Sequence, residues 1–298
     1  MESEIAHSGE NCRVLISCAD GAGIIAAVSG LIAERGGNIL DADQHTELAT
    51  EPGTPGLFFM RVVAEVGTGS RESLQTGFDE LAARLDMRIS LHWGDRPDRV
   101  AILSGPETHC LSDLLWRWGQ GELGGLVGGD IVGVLSNHDS GRAMTESMGV
   151  EYACVPESGG DRAAQERAVG DWLDRVRPDL VVLARYMRVL PSWLVERYDG
   201  RMINIHHGFL PAFAGARPYH QAHARGVKLI GATSHYVTAE LDDGPIIAQE
   251  TAHVSHRDDI VSMKRLGRDL ERVVLARAVR QHLERRVLVV GRRTVVFE

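Results

Sequence analysis

Residues 202–250 read MINIHHGFLPAFAGARPYHQAHARGVKLIGATSHYVTAELDDGPIIAQE. An apolar run (Met202, Ile203, Ile205) is interrupted by Asn204 and ends in His206 and His207, followed by a Gly/Pro-rich loop. A second apolar-rich run, residues 229–237, carries His235 and leads to the acidic turn Leu241-Asp242-Asp243-Gly244-Pro245. Polar groups at the ends of buried strands, facing such a loop, are where an open α/β sheet places its chemistry. An amide, an imidazole and a carboxylate together suit acyl transfer. The amide polarises a carbonyl, the imidazole stabilises the oxyanion, and the carboxylate moves protons. A carboxylate among apolar residues is expected to titrate above its ordinary range, and Asp242 is the candidate.

Outward from this stretch, the chain upstream alternates strand and helix. Strands are expected over residues 99–103, 131–135, 152–155 and 180–183, with helices over 111–117, 142–148 and 165–176. Strands separated by helices imply a mostly parallel sheet. The first turn of this part, residues 104–110, reads SGPETHC and has neither a G-x-G-x-x-G nor a Walker pattern, which argues against nicotinamide or nucleoside triphosphate chemistry. Ser136-Asn137-His138-Asp139 ends a strand and is a candidate cleft wall, with an ordinary strand-end turn as the alternative. Downstream, residues 258–285 have the apolar spacing of a long amphipathic helix, and two short strands around Gly291-Arg292 close the chain as a hairpin.

Residues 13–93 form a separate small unit of order βαββαβ, a ferredoxin-like arrangement. Gly94-Asp95-Arg96-Pro97 is the candidate linker, so the expected domains are 1–94 and 98–298.

Asn204-Ile205-His206, Leu210-Pro211, His235 and Leu241-Asp242 with Gly244-Pro245 together resemble the signature of the folate-dependent formyltransferase fold. The version here, HHGFLPAFAGARPYHQA with GATSHYV and LDDGPII, is most similar to the 10-formyltetrahydrofolate deformylases. The resemblance implies a Rossmann-like catalytic domain that hydrolyses 10-formyltetrahydrofolate, with the folate as substrate, no permanently bound cofactor and no metal. It implies catalytic roles for Asn204, His206, His235 and Asp242, and places Asp243 as a turn residue. Arg185, Met187, Arg188, Val189 and Leu190 correspond to the segment lining the pterin pocket. Relatives that formylate glycinamide ribonucleotide hold a phosphate in the first turn with glycines; here Glu107 stands there, which favours water over a phosphate-anchored amine. Transfer of the formyl group to an amine acceptor is the alternative. Gly208 stands where Ser is usual, leaving extra room beside His206. The stretch SCADGAGIIAAVSGLIAERGGNILDADQHTE resembles an ACT domain, a module that pairs subunits and binds small amino acids. This implies a homo-oligomer and an amino-acid effector near residues 20–23, or a purely adhesive role. Ala22 replaces the proline common in that turn.

Composition bounds the remaining possibilities. The chain has 298 residues, 44% of them hydrophobic and 24% charged, as in ordinary globular proteins. A formal net charge of −9 argues against nucleic-acid binding. No apolar run is long enough for a membrane span, the acidic start MESEIAHSGE is no secretory signal, and the four cysteines show no C-x-x-C spacing. The expectation is a cytoplasmic enzyme with reduced thiols. His220 and His223 have the i, i+3 spacing of a ligand pair but are expected beside the cleft or on the surface.

Overall fold

A computed structural model describes residues 9–49, 53–124, 128–156, 161–212 and 218–298. Residues 213–217 of the loop after His207 and residues 50–52 of the N-terminal part lie outside the described residues. The chain divides into two compact units. One runs to Arg96 and takes in Arg285–Leu288 and Val295–Glu298; the other spans Pro97–Glu284 with Val289–Thr294. No described helix is long and apolar enough to cross a membrane.

The first unit contains β1 (Gly9–Ala19), α1 (Ile24–Glu34), β2 (Asn38–Glu47), β3 (Leu57–Gly67), α2 (Arg71–Leu85) and β4 (Arg88–Trp93). Its sheet has the order β2-β3-β1-β4, all antiparallel. Alternate β1 residues Cys12, Val14, Ile16 and Cys18 turn to one face, where they meet Val28 and Ile32 of α1 and Leu74, Phe78 and Leu81 of α2. Period-two strands thus meet period-3.6 helices over one core.

The second unit holds a seven-stranded sheet of order β11-β10-β9-β8-β5-β6-β7. Its elements are β5 (Asp98–Ser104), α3 (His109–Gly119), β6 (Gly129–Ser136), α4 (Arg142–Ser147), β7 (Tyr152–Cys154), α5 (Arg162–Val176), β8 (Leu180–Ala184), α6 (Ser192–Arg197), β9 (Met202–His206), α7 (Pro218–Arg225), β10 (Leu229–Tyr236), β11 (Ile246–His253) and α8 (Ile260–Leu283). Strands β9, β8, β5, β6 and β7 are parallel, while β10 and β11 are antiparallel additions. The central parallel strand β8 is fully apolar, as burial on both faces requires: it reads LVVLA and every residue is buried. The sequence pattern did not reveal α6, a short helix entered through Pro191, or the edge strand β11, whose IIAQETAH mixes polar and apolar residues. The last two strands, β12 (Val287–Val290) and β13 (Arg293–Val296), pair as the expected hairpin.

From β5 the chain goes outward to β6 and β7, then returns to β8 on the other side of β5. Between β5 and β8 the direction of winding reverses, and the loops leaving their C-terminal ends part to form a crevice. Gly105 follows β5 at this point. A Cβ built there would lie 2.0 Å from the carbonyl oxygen of Arg185, which follows β8. The obstacle is backbone, so it has little room to give. Gly105→Ala should therefore lower stability by roughly 1–3 kcal/mol, whereas Gly30→Ala, in open space on α1, should raise it by about 0.5–1 kcal/mol. Urea denaturation of the two variants checks the contrast.

Candidate active site

The cleft lies at the C-terminal ends of β8 and β9 and encloses about 420 Å³. Asn204, His206, His235 and Asp242 all line it, as do Arg185, Met187, Arg188, Val189 and Leu190. Antiparallel pairing brings the first of these together: His235 of β10 stands opposite Asn204 of β9. Asp242 comes from the connection between β10 and β11. Its φ of 55° is left-handed, a conformation that Asp tolerates better than most side chains. Gly244 lets that connection fold back, since a Cβ there would lie 1.7 Å from the Tyr236 carbonyl oxygen. The turn returns the Asp242 carboxylate to the strand ends.

His206 Nδ1 lies 3.2 Å from Asp242 Oδ2. His206 is 5% exposed, and its Nε2 has no hydrogen-bond partner among the described residues. His235 Nδ1 lies 2.8 Å from the Tyr236 carbonyl oxygen, which only a protonated Nδ1 satisfies. The neutral ring then carries its lone pair on Nε2, and the Asn204 amide, 3.2 Å away, donates to it. His235 thus orients Asn204 directly, a link that spacing in the sequence did not reveal. Its Nε2 is 3.8 Å from Asp242 Oδ1, beyond hydrogen-bond range. Burial pushes the His235 pKa down.

Asp242 departs from expectation. The hydrogen bond from His206 outweighs burial, and its carboxyl titrates below the ordinary value. It is therefore an ionised carboxylate at neutral pH rather than a raised one. Asp243 turns away and pairs with Arg292.

Met187 and Val189 are 62% and 56% exposed and form the open apolar wall of the cleft. Arg185, with φ 61°, starts this loop. Its guanidinium is held by Glu107 from the first turn, at 2.5 Å from Nη2, and lies 3.3 Å from Glu271 of α8. Glu271 is 1% exposed and also accepts from Tyr219 Oη (2.9 Å), with His109 Nε2 at 2.8 Å. Burial would raise the Glu271 pKa, but the His109 hydrogen bond and Arg185 prevail and hold it below the ordinary range. Tyr219 fits because residue 267 on α8 is glycine: a Cβ would stand 1.8 Å from its hydroxyl. This buried cluster was not legible in the sequence, where Glu271 is one more charge on an amphipathic helix.

Ser136-Asn137-His138-Asp139 does not line the cleft. It is a strand-end turn in which the His138 amide donates to Ser136 Oγ, Tyr152 Oη donates to the His138 carbonyl, and Asp139 pairs with Arg142. Beside Gly208, Thr233 Oγ1 donates to its carbonyl at 2.8 Å and accepts from the Leu210 amide. His220 lines a cavity adjoining the cleft.

Comparison with known proteins places this geometry. Residues 98–279 match the formyl transferase family model, and residues 13–71 match that of the ACT domain. The formyltetrahydrofolate deformylase of Synechocystis is 45% identical over 95% of this chain and 97% of its own. That of Bacillus subtilis is 44% identical over 96% and 93%. The crystal structure of a formyltetrahydrofolate deformylase from Pseudomonas syringae superposes with a TM-score of 0.90 at 43% identity, covering 97% of this chain and 95% of that one. With an ACT domain ahead of a formyl transferase domain and near-complete coverage by such relatives, the chain belongs to the formyltetrahydrofolate deformylase family.

Proposed function

We propose that the chain hydrolyses 10-formyltetrahydrofolate to formate and tetrahydrofolate, with Asn204, His206, His235 and Asp242 carrying the reaction. The observation that supports this reading best is the convergence of an ionised Asp242 on His206, beside the Asn204 amide, in a cleft that continues along Met187–Leu190. The pterin lies against that loop, whose apolar side chains form the slot and whose backbone meets the ring's polar edge. The formyl group then reaches the strand ends. Asn204 keeps one amide N–H on His235 and offers the other to the formyl oxygen. His206, protonated on both ring nitrogens, donates Nδ1–H to Asp242 and Nε2–H to the same oxygen.

Water, held by Asp242, attacks the formyl carbon as a C–O bond forms. The tetrahedral oxyanion is stabilised by the two donors, placed before charge develops. The C–N10 bond breaks, N10 takes one proton from the attacking water by way of Asp242, and the second proton is lost as formic acid ionises to formate. The folate is the substrate, and these steps require no resident cofactor or metal. We further propose that residues 1–94 act as an assembly and regulatory module in a cytoplasmic homo-oligomer, with residues 20–23 as the place for an amino acid.

Purified protein given 10-formyltetrahydrofolate and no amine should release formate at a rate that glycinamide ribonucleotide leaves unchanged. Accumulation of a formylated amine instead would refute the hydrolase reading. Asp242→Asn should lower turnover by roughly 10²–10⁴-fold, the usual weight of general acid–base catalysis, while leaving folate binding measurable by fluorescence titration. Asp243→Asn, whose carboxylate pairs with Arg292, should cost far less.

The histidines also set a pH dependence of stability. Burial and the neighbouring Arg185 push the His207 pKa down to about 4, from a reference value of 6.5. The unfolded chain binds that proton first, so the native state loses stability as pH falls from about 6.5 towards 4. His235 adds to the loss in the same direction. Thermal denaturation across this range should show a smaller decline in His207→Gln than in the parent. For the N-terminal unit, light scattering on the full chain should report more than a monomer, and an effector should shift the melting temperature in a panel of amino acids.

A further inference from the structure

The cleft has a neighbour. A second cavity of about 390 Å³ shares Arg185 and His207 with it. A hydrolase has no second organic substrate to seat beside its folate, so the reaction proposed above leaves this space without an occupant. Its walls have a definite chemistry. Lys264 and Arg268, one turn apart on α8, both face it, and His220 of α7 joins them. Neither Lys264 nor Arg268 has a carboxylate partner among the described residues, whereas farther along the same helix Arg272 pairs with Asp269 and Arg277 with Glu250.

The cavity's own acids are already engaged. Glu271 is surrounded by His109, Tyr219 and Arg185, and Glu107 is held by Arg185. Where the two cavities meet, Arg185 is 11% exposed and its Nη1 is buried with no hydrogen-bond partner. His207, stacked 5.3 Å from His206, offers a neutral ring at the same boundary. Spare cationic charge at the rim and an unused buried N–H at the floor describe a receptor for a small oxyanion.

The reaction makes such an anion. Formate is released next to Asp242, itself negatively charged, while the folate still fills the cleft. Like charge drives it away from Asp242, and Arg185, which lines both cavities, joins the cleft to the cations Lys264 and Arg268 of the second. We propose that the cavity lined by Arg185, His207, Lys264 and Arg268 binds the small carboxylate product and is the route by which formate leaves ahead of the folate. The proposal rests on the deformylase reaction.

The test uses the full-length enzyme, with initial rates measured against sodium formate and ionic strength held constant with sodium chloride. Formate should inhibit without competing with the folate. In Lys264→Gln/Arg268→Gln, which changes only exposed side chains, the inhibition constant should rise by about tenfold, the effect of two exposed charges, with the folate KM unmoved. An unchanged inhibition constant in a variant with the parent melting temperature overturns the proposal. Sulfate inhibiting as strongly as formate overturns the assignment to a carboxylate. A KM that rises for the glutamyl folate, but not for a substrate lacking the glutamate, assigns the cations to the folate tail and also overturns it. A parent enzyme that releases no formate refutes the reaction itself, and is told apart from these outcomes before any inhibitor is added.

Discussion

Asp242 reaches His206 because three backbone circumstances coincide. Strand β10 pairs antiparallel with β9, the chain turns back sharply after it, and the aspartate accepts a left-handed φ of 55°. Had β10 been another parallel strand, the connection would have crossed the sheet and delivered its carboxylate elsewhere. The antiparallel addition therefore does more than extend the sheet. It places an acid from one connection against an imidazole from another strand, and it supplies His235 to hold Asn204. The chemistry proposed for the cleft depends on this local departure from the parallel pattern.

A second constraint lies behind the cleft. Glu271 is buried in the middle of α8, where an unpaired carboxylate would be severely penalised. Its contacts with His109, Tyr219 and Arg185 offset that cost and join α3, α7, α8 and the loop after β8. Removing any one partner would leave the others imperfectly satisfied, and breaking such a buried pair is far more damaging than replacing it whole. The guanidinium at the centre of this cluster starts the segment that forms the apolar wall. Electrostatics in the interior thus set the shape of the surface on which the pterin is proposed to lie.

Much of this was legible in the linear order of residues. Apolar-rich strands separated by helical spacing revealed the parallel core, and the apolar run carrying Asn204 and ending in His206 and His207 marked the strand end at which the cleft opens. Residues 13–93 declared their βαββαβ order through alternation and glycine stops. What remained hidden depended on contacts between distant segments. Edge strand β11 is half polar because one side faces solvent, and so lacks a clear period. Glu271 is indistinguishable in sequence from the solvent-facing charges of the same helix. The depressed pKa of Asp242 comes from His206, thirty-six positions away, and a reading of apolar neighbours alone pointed in the opposite direction. The turn at residues 136–139 had the composition of a cleft wall, but β6 lies beyond β5 from β8 and β9, at whose ends the cleft lies.

The glycine at position 267 limits how this chain can vary. A glycine inside a helix sacrifices rigidity that alanine would supply, and here the void it leaves is filled by the Tyr219 ring. The two positions are therefore sterically coupled. Any side chain at 267 evicts the phenol from Glu271 unless Tyr219 shrinks in the same step, and a smaller residue at 219 leaves the buried carboxylate short of a donor. Single-step change is disfavoured in both directions, at positions outside those proposed to make and break bonds.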